Sequence, residues 1–278
     1  MDRIITITGF AVFYSLVSIA NIVVNTPPPD LSSKKKWDYL GQHVSLIHAF
    51  LATFIAFSVY LLEGGVHYNT PTNFYHIIVL GHSLGYFIYD MFYAEFFKLH
   101  DWAMRTHHIC VLIGGILLYL ASIGGSQSTI CILITEGPNS FMMLRKILRA
   151  KKLQNTKTYE IIEITFAGSF VFLRSIMCTW LNYNIWVSTF PLITKLAISI
   201  TYGVGLFWVN VIMGIAIERL PPYSPIKETV KRGLEFISKN QLGFAVGIFI
   251  WSVIIPYYMT QFLHFGFMNL VIGGFIVF

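Results

Sequence analysis

Apolar runs of similar length recur along the whole chain, and they restrict its fold more than any motif does. Each run is close to the roughly 20 residues that a helix needs to cross the hydrocarbon core of a bilayer. The chain has 278 residues, of which 55% are hydrophobic and only 12% are charged. That balance is far from that of a soluble globular domain and leaves no stretch for a sizeable one. One polytopic membrane domain is therefore predicted.

The runs are predicted to be helices, because lipid offers no hydrogen-bond partner to an unpaired backbone amide. A membrane β-barrel would instead show short segments with alternating hydrophobicity. The predicted fold is an all-α integral membrane protein with about seven transmembrane helices. The predicted spans are residues 4–24, 43–62, 74–93, 107–123, 128–144, 159–181 and 192–217.

Basic residues alternate between loops, as they do when positive charge collects on one side of a membrane. Lys and Arg crowd the first, third, fifth and seventh loops, beginning with Lys34, Lys35 and Lys36, whereas the second, fourth and sixth loops contain neither. The N-terminus is therefore predicted to face away from the basic loops. The net charge of the chain is +6. An anionic leaflet facing the basic loops accounts for this charge, so no nucleic-acid partner is predicted.

The chain beyond the seventh span has a different character. Prolines at 221, 222 and 225 end the helical pattern, and residues 226–240 have the spacing of an amphipathic interfacial helix. The apolar segment 242–278 contains Pro256 and is too long for one ordinary span, so one kinked crossing and two tilted helices both fit. Three parts are predicted: an N-terminal helix with a basic loop (1–36), a membrane domain of six helices (37–220) and this extension (221–278).

Motifs for bound groups are missing from the chain. Cys110, Cys131 and Cys178 are scattered within predicted spans, so neither a disulfide framework nor a zinc site with ligand spacing is indicated. The G-x-S-x-G, P-loop, H-E-x-x-H and Rossmann patterns are also absent. No cofactor and no metal are predicted.

Polar side chains inside the third span are candidates for chemistry, because each is costly in lipid and usually faces the bundle interior. Three of them share one helix face: His82, Tyr86 and Asp90. Gly81 and Gly85 are spaced so that a neighbouring helix can approach closely. Asp90 either handles a proton or substrate near the membrane surface or pairs with Lys98 or Arg105.

His107 and His108 stand where a basic loop gives way to the fourth span. They either bind carbonyls or headgroups at the membrane surface, bind a lipid headgroup in a cavity mouth, or act in acid–base catalysis. A protonated histidine would also suit a buried carboxylate such as Glu136. A short turn between the two helices, however, leaves His107 and Glu136 about 12 Å apart in depth, so contact needs a register shift, a helix break or a bridging ligand.

Glu136 lies in an apolar span beside Pro138, which should bend the helix and free a carbonyl near the carboxylate. In a purely structural role, Glu136 would pair with one of three cations: Arg145, Arg174 or Lys195. The sequence leaves both this role and a cavity role open.

Two stretches of the chain resemble a known family. The motif "THHICVL" is followed about 28 residues later by Glu136, Phe141 and Arg145, similar to an E-x-x-x-x-F-x-x-x-R pattern. The stretch "LGHSLGYFIYDMF" at 80–92 looks like the third span of the same proteins. Over residues 37–220 the chain thus resembles the TLC domain family, and its TLC-domain-containing branch more than the ceramide synthases.

The resemblance implies a ring of six helices around a lipid-sized cavity, preceded by one N-terminal helix. In ceramide synthases the paired histidines act with a later H-D-x-x-D run. The matching stretch here is Thr135-Glu136-Gly137-Pro138-Asn139, which lacks the histidine and replaces the second acid with an amide. N-acyl transfer from a thioester needs a base and groups that hold the developing oxyanion. An enzyme is therefore not favoured.

We expect a multi-pass TLC-type protein that binds or handles lipid, either alone or as an accessory subunit that meets neighbouring membrane subunits through its C-terminal extension. The alternative is a ceramide-synthase-type acyltransferase that N-acylates a long-chain base from acyl-CoA. Membrane lipids are the predicted partners, with acyl-CoA only under the alternative. The predicted lipid-binding residues are His107, His108, Glu136, Asn139, Arg145 and Asp90, and an enzyme would use His107, His108 and Glu136 as catalytic residues.

The family resemblance implies the endoplasmic reticulum or a related endomembrane. A subunit of a complex in the mitochondrial inner membrane would have the same topology. The chain ends in no Lys-Asp-Glu-Leu retention signal and shows no Arg-rich, Ser-rich transit peptide. Both locations therefore stay open at the level of sequence.

Overall fold

The computed structural model describes residues 3–218, 232–233, 235–236 and 240–259 of the chain. The regular structure in these residues is helical, apart from one isolated bridge between Pro71 and Ile123. In chain order the helices are α1 (Arg3–Val24), α2 (Ser33–Leu62), α3 (Phe74–Phe96), α4 (Trp102–Leu120), α5 (Gly125–Glu136), α6 (Asn139–Ala150), α7 (Lys157–Phe172), α8 (Cys178–Val187), α9 (Leu192–Glu218) and α10 (Gln241–Phe249). Two π-helical segments, Leu173–Met177 and Ile250–Ile254, follow α7 and α10.

Six helical stretches in the described residues are long and apolar enough to cross a membrane: Arg3–Val24, Ser33–Leu62, Phe74–Phe96, Trp102–Leu120, Lys157–Val187 and Leu192–Ala216. The predicted all-helical, multi-pass membrane fold is confirmed. The predicted span 128–144 is instead two 12-residue helices, α5 and α6. Each is about 18 Å long, well short of a hydrocarbon core of about 30 Å. The count of seven crossings therefore stays a prediction.

N-cap residues explain where several helices begin. Two helices, α2 and α4, begin earlier in the chain than predicted. Asn73, Asp101 and Thr156 each accept a hydrogen bond from a backbone amide of the helix that they precede. The cap at Asp101 starts α4 at Trp102 rather than 107, so the paired histidines lie in its second turn. Likewise α2 starts at Ser33 rather than 43, which places the three lysines 34–36 in its first turn rather than in a loop.

The described chain forms two compact units, Met1–Cys178 and Thr179–Phe278. In the first unit, the loops before α3 and α5 lie together, since the amide of Thr72 donates to Ser122 O and that of Gly124 to Thr70 O. At the opposite end, Lys152 forms an ion pair of 2.6 Å with Asp30. We call these the non-basic and the basic end. In this unit the second and fourth loops therefore lie at one end, and the first and fifth loops lie at the other.

Helices α1 and α3 pack closely in the first unit. A Cβ atom added at Gly85 would lie 2.5 Å from Phe10 Cβ, and one at Gly81 would lie 2.8 Å from Thr6 Cγ2. Only glycine allows this approach, which confirms the predicted small-residue contact and identifies α1 as the partner. Tyr14, fully buried on α1, reaches into the interior of the unit from this contact.

The second unit holds its helices together with buried polar contacts. Asn182 Nδ2 donates to Ser252 O, and Ser199 Oγ, which receives the Trp186 indole N–H, donates to Asn182 Oδ1. Lys195 donates to the carbonyls of Trp186 and Ser188, so within this unit it has its own acceptors. Most of the predicted interfacial helix 226–240 and the end of the apolar extension lie outside the described residues.

Candidate functional site

Helices α3 and α4 bring three titratable side chains together at the basic end of the first unit. Asp90 lies in the last two turns of α3, His100 in the following loop and His108 in the second turn of α4. Asp90 Oδ2 lies 3.3 Å from His108 Nδ1 and 3.7 Å from His100 Nε2. The predicted partners of Asp90, Lys98 and Arg105, are not its contacts: Arg105 binds Glu95 through two hydrogen bonds.

This cluster lines a cavity of about 260 Å³ that lies within the first unit. The cavity is also lined by Asp38, Gln42, Ser45 and Tyr86, and by Lys146 on α6. Three apolar side chains, Leu99, Met104 and Met143, complete part of its wall. Its lining thus combines both signs of charge with amide, hydroxyl and apolar groups.

Lys146 is a cation without an ion pair in the described part of the chain. The carboxylates of Asp38, Asp90 and Asp101 line the same cavity, but the ion pairs of the described residues join other groups. Gln42 Nε2 donates to Asp38 Oδ1 at 2.8 Å. A partly buried lysine in this setting is available to an anionic group of a ligand.

A second polar group lies deeper, around Glu136. Asn139 Nδ2 donates to Glu136 Oε2 at 2.9 Å, and His48 Nε2 lies 3.7 Å from the same oxygen. The His48 ring stacks on Tyr86 at 3.7 Å between centroids, nearly parallel. Because Tyr86 also lines the cavity, its ring connects this buried group with the cluster at Asp90.

Tyr14 extends the buried group toward α1. Its hydroxyl shares a hydrogen bond with His82 Nε2 and lies 3.4 Å from His48 Nδ1. Tyr86 donates to Ser45 Oγ at 2.8 Å. Fully buried polar side chains of this kind are retained only where they find partners, and here they fasten α1, α2 and α3 to one another.

A break in the helical pattern positions Glu136. Helix α5 ends at Glu136, and α6 begins at Asn139 after Gly137 and Pro138. The Thr135 carbonyl, next to Glu136, accepts a hydrogen bond from Arg174 Nη2 at 3.0 Å. Arg174 is buried in the π-helical segment after α7, with its guanidinium 5.3 Å from the Phe170 ring centroid. Such π-helical turns often occur at functional sites.

The predicted site residues are thus divided among three places. Asp90 and His108 line the cavity, whereas Glu136 and Asn139 bond each other below it. Arg145 lies apart, because its guanidinium Nε donates to Glu163 Oε1 at 2.7 Å. His107 and His108 are both buried within the first unit.

Sequence reasoning missed several residues of this arrangement. His100 carried a signal, since it stands eight residues before His108 in the loop that leads into α4. The sequence places His82 on one face with Asp90, but it does not place His82 beside Tyr14 of α1 or His48 of α2. Lys146 was counted only among the basic residues of a loop. Their joint placement depends on how the helices rotate against each other.

A comparison with known families now adds to these observations. The family model described as the TLC domain matches residues 40–219. The chain belongs to the TLC domain family. The TLC domain-containing protein 2 of Danio rerio is 24% identical over 190 residues, which cover 66% of this chain and 75% of that protein. This relative agrees with the TLC-domain-containing branch rather than with the ceramide synthases.

Proposed function

We propose that this TLC-domain protein binds a membrane lipid by its headgroup, in the cavity at the basic end of the first unit. The observation that carries the proposal is an unpaired Lys146 in a cavity that also contains carboxylates and apolar side chains. At about 260 Å³ the cavity is smaller than the pockets of roughly 300–1,000 Å³ that enclose drug-sized molecules. A headgroup fits this size, and the acyl chains would remain outside.

Charge in the lining favours a zwitterionic headgroup. Lys146 would bind a phosphate oxygen, while Asp38 would accept from an ammonium group. Leu99, Met104 and Met143 supply apolar contacts for the glycerol region. The basic end is also where anionic and zwitterionic headgroups meet the protein in the predicted orientation.

The first prediction concerns Lys146. Lys146→Met should weaken phospholipid binding by about 10- to 100-fold, since a hydrogen bond to a charged group contributes about 1.5–3 kcal/mol. The measurement is native mass spectrometry of the detergent-purified protein titrated with phosphatidylcholine and phosphatidylethanolamine. Lys151→Met is the matched control, because Lys151 is exposed just after α6 and does not line the cavity. Equal affinities in both variants would contradict headgroup binding here.

A ceramide-synthase-type activity is the second candidate. It is favoured by the approach of His108 to Asp90, a pair that could move a proton beside a bound substrate. Against it, Asn139 stands where the synthases have an acid, and its amide already engages Glu136. Purified protein given acyl-CoA and a long-chain base either forms an amide that depends on His107 and His108, or the alternative fails.

Assembly and compartment stay predictions. The apolar extension, through which neighbouring subunits were expected to bind, lies largely outside the described residues. Recovery of the chain in a stable, much larger particle after gentle detergent extraction would support a subunit role, and a monomer would argue against it. Fractionation of the endoplasmic reticulum from the mitochondrial inner membrane decides between the two expected locations.

A further inference from the structure

The cluster of Asp90, His100 and His108 is not a satisfied hydrogen-bond network. Its nitrogen-to-oxygen distances of 3.3 and 3.7 Å exceed the 2.7–2.9 Å that is usual for charge-assisted hydrogen bonds. His108 Nδ1 is buried and has no hydrogen-bond partner among the described residues. Both histidine side chains are 7% exposed. Such orphaned buried groups call for an explanation.

The same distances match the spacing between ligands around a metal ion. The three candidate ligand atoms all lie within 4.8 Å of one another. With bonds of 2.0–2.1 Å to nitrogen and oxygen, two ligands of a tetrahedral zinc ion lie about 3.3 Å apart. The two separations from Asp90, 3.3 and 3.7 Å, lie near this value, and two imidazoles with a carboxylate are ligands that zinc accepts.

The surroundings of His100 add a second, independent feature. Its other ring nitrogen, Nδ1, faces Glu95 Oε1 at 3.8 Å, and Glu95 is held by two hydrogen bonds from Arg105. Histidines that bind metals usually donate their other ring N–H to a carboxylate; here the carboxylate of Glu95 faces that nitrogen at 3.8 Å, which is longer than a hydrogen bond. Arg105 and Glu95 thus provide an outer layer for His100.

We propose that Asp90, His100 and His108 bind a Zn²⁺ ion. Two imidazoles and a carboxylate form the three-ligand set of a zinc site that keeps a fourth position open. All three residues line the 260 Å³ cavity, so that position faces the space where a water molecule or a ligand oxygen can bind. The site does not depend on the proposed lipid function, since it requires only these side chains.

The test is zinc content and zinc affinity of the full-length protein, purified with a tag that contains no histidines. Wild-type protein dialysed against Zn²⁺ should retain one equivalent by elemental analysis. His108→Ala, His100→Ala and Asp90→Asn should each lose it, with affinity reduced by more than about 100-fold in competition with a chromophoric chelator. Glu95→Gln should weaken binding by about 10-fold.

Two further variants separate ligand loss from misfolding. His107→Ala removes a buried histidine one position away and should keep the zinc equivalent. His100→Cys keeps a zinc ligand and, with Co²⁺ as a probe, should add a thiolate-to-metal absorption band that wild-type protein lacks. Each variant is first checked for an unchanged elution volume and helical circular dichroism.

Several results would overturn the proposal. These are wild-type protein without stoichiometric zinc, zinc that persists in all three ligand variants, or stoichiometric iron in place of zinc. Lipid binding is measured separately in the presence of a chelator, so that a failure of the zinc site and a failure of the lipid proposal remain distinguishable.

Discussion

Among individual residues, Asn139 stands where the resemblance to the ceramide synthases implies an acid. Where the synthases have an acid, its amide donates to Glu136 Oε2. A second acid at this position could not donate this bond when ionised, because a carboxylate only accepts. The position therefore now stabilises the Glu136 carboxylate instead of adding a second acid.

Glu63, which follows α2 at the non-basic end, provides a pH-dependent prediction. Burial raises the pKa of its carboxyl, but contacts with His76 and Asn73 outweigh burial and hold the pKa below its ordinary value. His76 Nε2 approaches Glu63 Oε1 at 2.7 Å, and Asn73 Nδ2 donates to it at 2.8 Å. A carboxyl with a lowered pKa stabilises the fold above its unfolded pKa and loses this contribution as pH falls.

Thermal stability of the wild type should therefore decline as the pH falls below about 4.3, the ordinary pKa of glutamate. Glu63→Gln should be less stable at neutral pH and should lose less on acidification. Melting temperatures by circular dichroism between neutral pH and pH of about 3 measure both effects. Glu160→Gln, which changes an exposed carboxyl in the first turn of α7, should follow the wild type. A Glu63→Gln curve parallel to the wild type would refute the assignment.

At the level of helices, α1 and α3 approach closely at two glycines, and the contact at Gly85 is the tighter one. A Cβ at Gly85 would meet Phe10 Cβ at 2.5 Å and the Ile7 carbonyl oxygen at 2.8 Å. Backbone atoms of α1 cannot yield as a flexible side chain does. This contact therefore determines how deeply α1 can bury Tyr14 in the first unit.

Gly85→Ala should lower the free energy of unfolding by about 1–3 kcal/mol, the usual cost of overpacking. Gly168→Ala is the matched control, since this helical glycine of α7 has open space where a Cβ would stand. It should leave stability unchanged or raise it slightly, because alanine favours helix. Unfolding by sodium dodecyl sulfate in mixed micelles gives both values. Equal effects in the two variants would show that the contact is looser than described.

For the molecule as a whole, the bent pair α5 and α6 decides the number of crossings. The pair runs from the loop beside Thr70 at the non-basic end to Lys152 beside Asp30 at the basic end. It therefore passes through the whole first unit, although neither helix is long enough alone. If α5 and α6 together also cross the membrane, the predicted count of seven crossings is correct.

Cysteine labelling in sealed vesicles tests this count. A membrane-impermeant maleimide should label Lys35→Cys and Asn155→Cys from one side and Ser122→Cys from the other, in a background without the native cysteines. All three positions are exposed in the structure. Labelling of positions 122 and 155 from the same side would mean that α5 and α6 return without crossing. Detergent-permeabilised vesicles, in which every site should react, provide the control.

Local patterns in the sequence were enough to predict the helices and to predict which loops lie at the same end of the helices. Hydrophobic length and the placement of Lys and Arg determine both, because lipid acts on each segment separately. The family followed from short motifs. The helix caps at Asn73 and Asp101 are also local features. The cap at Asp101 starts α4 at Trp102, earlier than the predicted start at 107, and so places both histidines in the second turn.

Only the tertiary structure decided which polar groups meet. The sequence left Asp90 either a proton or substrate role or a pairing with Lys98 or Arg105, whereas the fold brings it to His100 and His108. It likewise brings His48 to Glu136, 88 residues away in sequence. The physical reason is that spacing within one helix defines a face, but contact between helices depends on their rotation, depth and breaks. Those are set by packing details such as Gly85 and Pro138, whose effects extend across the whole unit.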